Sequence, residues 1–280
     1  MAKNVELKTK AMDVVSERFI EESKRDLITN DFFDFEGAHT VKVYEVTTAS
    51  MNDYNREDST NSLNRYGEAE PLNATTKTYE LKKDRSFTYV LDRLDVEETE
   101  GMDPNETLKR QISEVVIPEI DSYTYKTMSE NAGTKAGAET ITSENIYDLV
   151  LKANEVLDDE LVPETERSLI VTPAVYTHLK RNKDFLMATD IAEEIKLKGV
   201  VAIVDGLKVI KVPKSRLPEN FGFMVCHKSA ACTPIKLSDY NIHDNPPGIS
   251  GYLVEGRIAY DTFVIGNKAK GIYYQPINIG

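Results

Sequence analysis

HTVKVYEVTT (His39–Thr48) and KTYELKKDRSFTYVLDRLDV (Lys77–Val96) decide how this chain is read. Both carry strand patterns. In the second, Tyr79, Leu81, Phe87, Tyr89 and Leu91 fall on one face, and Glu80, Lys82, Asp84, Ser86 and Thr88 fall on the other. That is the period of two expected of a half-buried strand. Between the two lies SMNDYNREDSTNSLNRYGEAEPLNATT (Ser50–Thr76), polar and poor in aliphatics. A loop of that length is uncommon in a compact domain unless it is functional or disordered. The reading is one long two-stranded ribbon over residues 37–97, with little of its own chain to pack on. A lone two-stranded ribbon is marginal in water. A neighbouring chain is therefore expected to cover it, with the contact centred on Asn64, Arg65, Tyr66 and Gly67. Arg65 would pair with a carboxylate and Tyr66 would pack across the boundary.

Working outward from the ribbon, residues 1–36 read as an N-terminal arm. Leu7, Ala11, Val15 and Phe19 make a helical stripe. The stripe suits an ordinary surface helix or an arm docked on another subunit. On the other side, MDPNETLKRQISEVVIPEIDSYTYKTMSENAG opens with helix-start signals. Asp103 is a good N-cap, Pro104 suits the first helical position and Glu106 completes a capping box. Leu108, Ile112, Val115, Val116, Ile120, Tyr123 and Thr127 keep helical spacing, and the first four are the expected packing face. A spine helix is expected within residues 98–131, with a kink or break at Pro118, which has no N–H to give.

Beyond it, residues 132–250 read as a mixed α/β domain. TSENIYDLVLKANEVLDDELV is an amphipathic helix. In RSLIVTPAVYTHLKRN a strand is followed by Thr172 as N-cap and Pro173 as first helical residue. GVVAIVDGLKVIKVP is a hairpin turned by Asp205-Gly206. FGFMVCH is a further strand. Residues 251–280 read as returning strands that must pair with something already made, beside the spine helix.

Composition bounds what the protein does. With 280 residues, 40% of them hydrophobic and 29% charged, the chain can build a real core. The net charge of −13 argues against a dedicated nucleic-acid binder, which needs basic surface to displace phosphate counterions. It leaves room for a container wall that only borders nucleic acid. No apolar h-region opens the chain and no membrane-length apolar run follows, so synthesis in a reducing cytoplasm is expected. The 2 cysteines, Cys226 and Cys232, read as buried thiols rather than metal ligands, since no second pair accompanies them.

Catalytic motifs are missing. There is no nucleophile elbow, phosphate loop, paired-histidine zinc helix or dinucleotide fingerprint. His39, His178, His227 and His243 are scattered. Cys226 and His227 adjoin, but neighbouring strand residues point to opposite faces. Asp13, Asp26, Asp31 and Asp34 read as a solvated acidic stretch. Asp158-Asp159-Glu160 opposes the dipole at a helix end, and reads as surface charge before a cation or subunit contact. No cofactor and no enzyme activity are expected.

The layout of arm, extended loop, spine helix, α/β domain and returning strands resembles the major capsid proteins of tailed bacteriophages, with the Hong Kong 97-type fold. NDYNREDSTNSLNRYGEAEPL with DRSFTYVLDRLD looks like the extended loop of capsid proteins from phages of Gram-positive hosts. LKRQISEVVIPEIDSYTYKTMSENAG looks like their spine helix, and GVVAIVDGLKVIKVPKSRLPENFGFMVCHKSA like their axial domain. The resemblance covers nearly the whole chain in order. It implies an α+β shell subunit whose axial domain gathers at five- and six-fold centres and whose loop lies over a neighbour. Hexamers and pentamers would enclose double-stranded DNA in the virion, after assembly in the host cytoplasm. A portal and scaffolding or decoration proteins are the implied partners, and no membrane is involved. Only about 36 residues precede the ribbon, so the long cleavable N-terminal segment of some members is not expected here. The lysine–asparagine cross-link of the type member finds no assignable residues. A cellular nanocompartment of the same fold is the second reading, and an enzyme with an unrecognised site the third.

Overall fold

The computed structural model describes residues 23–30, 40–46, 48–54, 56, 65–66, 69–99, 102–182 and 200–278. Its described strands are β1 (Thr40–Val46), β2 (Ala74–Glu80), β3 (Lys83–Asp92), β4 (Thr134–Lys135), β5 (Arg167–Val171), β6 (Val200–Val204), β7 (Leu207–Lys211), β8 (Phe221–His227), β9 (Ala231–Cys232), β10 (Ile235–Asp244), β11 (Gly251–Tyr260), β12 (Phe263–Val264) and β13 (Ile272–Pro276). The α-helices are α1 (Arg93–Glu98), α2 (Pro104–Gln111), α3 (Ile117–Glu130), α4 (Ile146–Asp159) and α5 (Pro173–Arg181). The chain divides into two units. Residues 35–81 form one, and residues 1–34 with 82–280 form the other, called the body below.

The smaller unit holds β1 and β2, paired antiparallel from Thr40↔Glu80 to Val46↔Ala74. The expected second ribbon strand is thus two strands. It breaks at Leu81-Lys82, and β3 leaves the ribbon for the body, where it pairs antiparallel with β11 from Gly251↔Asp92 to Tyr260↔Lys83. The aromatic content of β3 explains the departure. Phe87 and Tyr89 need cover that a two-stranded ribbon cannot supply.

Strands β10, β11 and β3 form one three-stranded sheet, in that order. Sequence reading places β10 with the α/β domain, whereas it pairs along its length with β11. The helix side of this sheet is aromatic. Phe87 and Tyr240 stack at 6.1 Å over Gly256 of the central strand. A Cβ at Gly256 would run into the Phe87 ring and come within 2.8 Å of Tyr240. Glycine is needed there for space. Val116 and Ile120 of the spine pack on Ile258 and Tyr260, with Phe87 and Tyr123 alongside.

The spine runs from Pro104 to Glu130 without a break. Asp103 caps it as expected, accepting from the backbone N–H of Asn105 and Glu106. A π turn over Ile112–Val116 joins α2 to α3, and the Ile117 N–H donates to the Ile112 carbonyl. The wider turn stands where a kink is expected. It precedes Pro118, the residue that cannot donate in an α-helical register. The extra residue also rotates the stripe. Val116 is 7% exposed but Val115 is 46% exposed, so Val115 is not on the packed face. Leu108 and Ile112 are half-buried.

The remaining strands build a six-stranded mixed sheet ordered β4-β13-β8-β5-β7-β6. All seven residues of β8 are buried. Phe223 and Val225 face a core with Leu149, Val150, Leu157 and Val175 of α4 and α5. Met224 and Cys226 face a second core with Tyr125 and Met128 of α3. The β6–β7 hairpin turns at Asp205 and Gly206, with φ of 45° and 77°, as a two-residue primed turn requires. Thr172 caps α5, its hydroxyl accepting from the Val175 N–H at 3.2 Å. The returning strands divide as the sheets do. β11 lies against the spine, and β13 pairs with β8.

Residues 23–30 belong to the body's own core. Ile28 is fully buried among Tyr125, Met128 and Ile170, and the Asn30 N–H donates to the Ala231 carbonyl at 2.9 Å. The stripe Leu7, Ala11, Val15 and Phe19 lies outside the described residues.

Candidate assembly surfaces

Among the described residues between β1 and β2, several apolar side chains are exposed. Met51 is 98% exposed and Tyr66 is 81% exposed, and Tyr54 and Leu72 are exposed too. Four of the nine exposed large hydrophobics among the described residues thus fall between Met51 and Leu72. Single exposed apolar residues need no explanation, and it is their concentration in one segment that makes this loop a candidate. The loop has some order of its own. Tyr54 and Tyr66 meet edge-on with ring centroids 5.0 Å apart, and the Ser50 hydroxyl donates to Glu70 at 2.8 Å. Of the predicted contact residues, Arg65 and Tyr66 are exposed, while Asn64 and Gly67 lie outside the described residues. Sequence reading missed Met51, Tyr54 and Leu72. The available signal was apolar residues set singly in a polar loop.

On the body, a cavity of about 120 Å³ opens between the spine and β3. Phe87, Val116, Ile120, Ile258 and Tyr260 make its apolar wall. Half-exposed Val115 and the Arg85–Glu119 ion pair, 2.7 Å long, stand at its edge. The π turn sets Val115 there.

Within the body, Asp261 fixes the approach to β3. This buried carboxylate accepts from the Lys82 N–H at 2.9 Å, the Tyr123 hydroxyl at 2.8 Å and the Thr262 N–H at 2.7 Å. Lys82 is the first body residue after the ribbon. Burial, and the bond to Asp261, push the Tyr123 phenol up to about 12. A second buried carboxylate ties the N-terminal segment to the spine. Asp121 accepts from the Ser23 hydroxyl at 2.7 Å and from Arg216 Nη1 at 2.9 Å. Burial raises its pKa, opposed by Ser23 and Arg216.

The residues weighed for chemistry sit apart. Cys226 is fully buried, and burial pushes its thiol up to about 12, away from the thiolate form that reacts. His227 is held low by burial, and its Nδ1 lies 2.8 Å from the Ser229 hydroxyl. His178 Nδ1 lies 3.1 Å from the Ser143 hydroxyl, and exposed His243 lies 3.3 Å from Glu255. Asp158 and Glu160 pair with Arg167 and Lys270, at 2.7 and 2.6 Å. Asp26 is exposed beside Arg25. His39, Asp13, Asp31 and Asp34 lie outside the described residues. Among the described residues, no group of three His, Cys, Asp or Glu could hold a metal, and no helix is long and apolar enough to cross a membrane.

No protein-family model and no curated protein sequence matches the chain. Solved structures do. A chain of Mycobacterium phage Che8 is similar at 16% identity over 98% of both chains, with a TM-score of 0.74. The capsid structure of the cyanophage P-SCSP1u is similar at 14% identity over 98% of this chain and 93% of that one, with a TM-score of 0.74. A virus-like particle from Pyrococcus furiosus is similar at 11% identity over 91% of this chain and 92% of that one, with a lower TM-score of 0.54. The chain has the Hong Kong 97-type fold of tailed-phage major capsid proteins.

Proposed function

We propose that the protein is the major capsid protein of a tailed phage. It self-assembles through hexamers and pentamers into a closed icosahedral head around double-stranded DNA. The observation that carries this reading is likeness to phage capsid subunits over nearly the full length of the chain. The bare apolar loop supports it, because such a surface is accounted for once a neighbour covers it. In this reading the domain of the six-stranded sheet is axial and lies around five- and six-fold centres. The spine helix and the β10-β11-β3 sheet are peripheral, and the extended loop lies over a neighbour. DNA is enclosed without sequence-specific contacts, as a net charge of −13 accords with. The portal and scaffolding or decoration proteins are its further partners. The protein assembles in the host cytoplasm and ends in the virion. The role asks for no catalytic centre.

The likeness to the Pyrococcus furiosus particle supports a second reading, a cellular nanocompartment shell. Negative-stain microscopy of the expressed protein tests the shell itself: closed, uniform particles are expected, and a protein that stays monomeric contradicts both readings. Particles recovered from the native source separate the two. Nuclease-protected double-stranded DNA inside them supports the phage head, and a protein cargo without DNA overturns it.

A further inference from the structure

Resting on the shell reading, we infer that the loop around Leu161 is a rigid knob that docks on helix α5 of a second copy of the chain. Leu161 stands just past the end of α4 with a φ of 57°, a left-handed conformation in which glycine is the usual residue. Its side chain is nevertheless 90% exposed. A bulky apolar residue kept at a glycine position, in water, gives its own fold nothing by burial. The loop beneath it is firmly held. Buried Arg167 donates to the Pro163 carbonyl at 2.9 Å, to the Val162 carbonyl and to Asn154 Oδ1 at 2.6 Å, and it pairs with Asp158 at 2.7 Å. A knob shaped in advance loses little freedom on docking, which favours it as an anchor.

Charge identifies what the knob meets. Asp158 and Glu160 are taken up by Arg167 and Lys270, while Asp159 and Glu164 flank Leu161 in sequence and are exposed. The other end of the same strand is basic. β5 runs from Arg167 to Val171, and α5 follows it directly. Lys180 and Lys211 both lie over the Tyr176 ring, 4.9 and 6.0 Å from its centre, and Lys211 is in register with Val171. Ala174 and Thr177 of α5 are exposed, so small side chains beside the lysines can receive the leucine. An acidic, apolar knob at one end of β5 thus complements a basic helix at the other, and the length of the strand keeps the two apart within one chain. A contact between different surfaces of identical chains is head-to-tail, and it closes into a ring when the rotation allows.

The test uses the full-length chain. Leu161→Gly should not lower the urea midpoint, because glycine accepts the backbone angle. It should still raise the protein concentration needed for assembly roughly 10-fold, the least that burying one leucine side chain supplies. Asp159→Lys with Glu164→Lys reverses the knob, and Lys180→Glu with Lys211→Glu reverses its seat. Either reversal alone should cut the yield of closed particles in negative stain, and a chain carrying both should regain it. Normal assembly of Leu161→Gly or of the two separate reversals overturns the contact and leaves the shell reading standing. So does a folded chain with both reversals that stays unassembled. If the reversed chains do not fold, Leu161→Gly decides alone. Wild-type protein that forms no particles overturns both.

Discussion

β2 and β3 are separated by two residues and read alike in the sequence, yet they belong to different structures. β2 pairs only with β1 among the described strands, and Thr76, Lys77 and Thr78 are exposed. β3 pairs with a strand more than 150 residues away and closes over the spine helix. Alternation makes a strand of either. What separates them is the bulk of the inward face, since Phe87 and Tyr89 bring area that must be covered, whereas the threonines of β2 do not. Folding energy therefore belongs mainly to the body, and the described ribbon strands add little to it.

Charge placed on the two sides of that divide should break them unequally. Ile120→Asp puts an unpaired carboxylate against β11, where Ile120 is 3% exposed, and should cost about 3–5 kcal/mol. Thr78→Asp on the ribbon should change stability by no more than about 0.5 kcal/mol. Urea unfolding of both variants checks the pair. A comparable loss from Thr78→Asp would mean that the ribbon shares the core.

Arg216→Met is the next largest on the body side. Removing one partner of a buried ion pair costs about 3–5 kcal/mol, with the low end expected here because Asp121 can take up a proton. Its folded pKa is already raised above 3.8. A raised carboxyl favours the fold at acid pH and loses that advantage as pH climbs through the folded value. Without Arg216 the rise grows. The deficit of the variant should be largest at neutral pH and shrink on acidification, and a constant deficit across pH would argue against the pairing.

At the junction, Asp261→Ala removes the acceptor shared by Lys82, Tyr123 and Thr262. Bonds to a charged group are each worth about 1.5–3 kcal/mol, so a loss near the lower figure is expected once water reaches the site. Amide exchange at Lys82 should quicken while β8 stays protected. Unchanged exchange at Lys82 would remove Asp261 from its role at the start of β3.

The smallest effect concerns pH. His227 has a folded pKa below 6.5 because burial disfavours its charge. Its contribution is present above about 6.5 and is lost as pH falls through the lowered folded value. His227→Gln should flatten that part of the body's stability profile. The same profile in the variant as in the wild type would show that His227 is not held neutral.

Much of the fold was legible because its signals are local. Asp103-Pro104, Thr172-Pro173 and Asp205-Gly206 each fix a helix start or turn through neighbouring atoms, and each is found in its expected place. The partner of β3 was not legible, because register with β11 depends on a distant strand. Neither was the exposure of Val115. Helical spacing alone puts it beside Val116, and one wider turn before Pro118 rotates it to the surface. At the candidate site, the long polar loop was read as a contact centred near Tyr66, and Tyr66 is exposed in the structure. The cavity beside the spine was invisible, since Phe87, Val116 and Ile258 come from three separate stretches of chain.

Deleting Asn61–Pro71 tests the division of labour most directly. The deletion removes Tyr66 and leaves every described strand of the body in place. The shortened protein should unfold at the same urea concentration as the wild type, within error, yet form no closed particles in negative stain. Normal particles from the deletion would contradict the account, since assembly would then not depend on the loop.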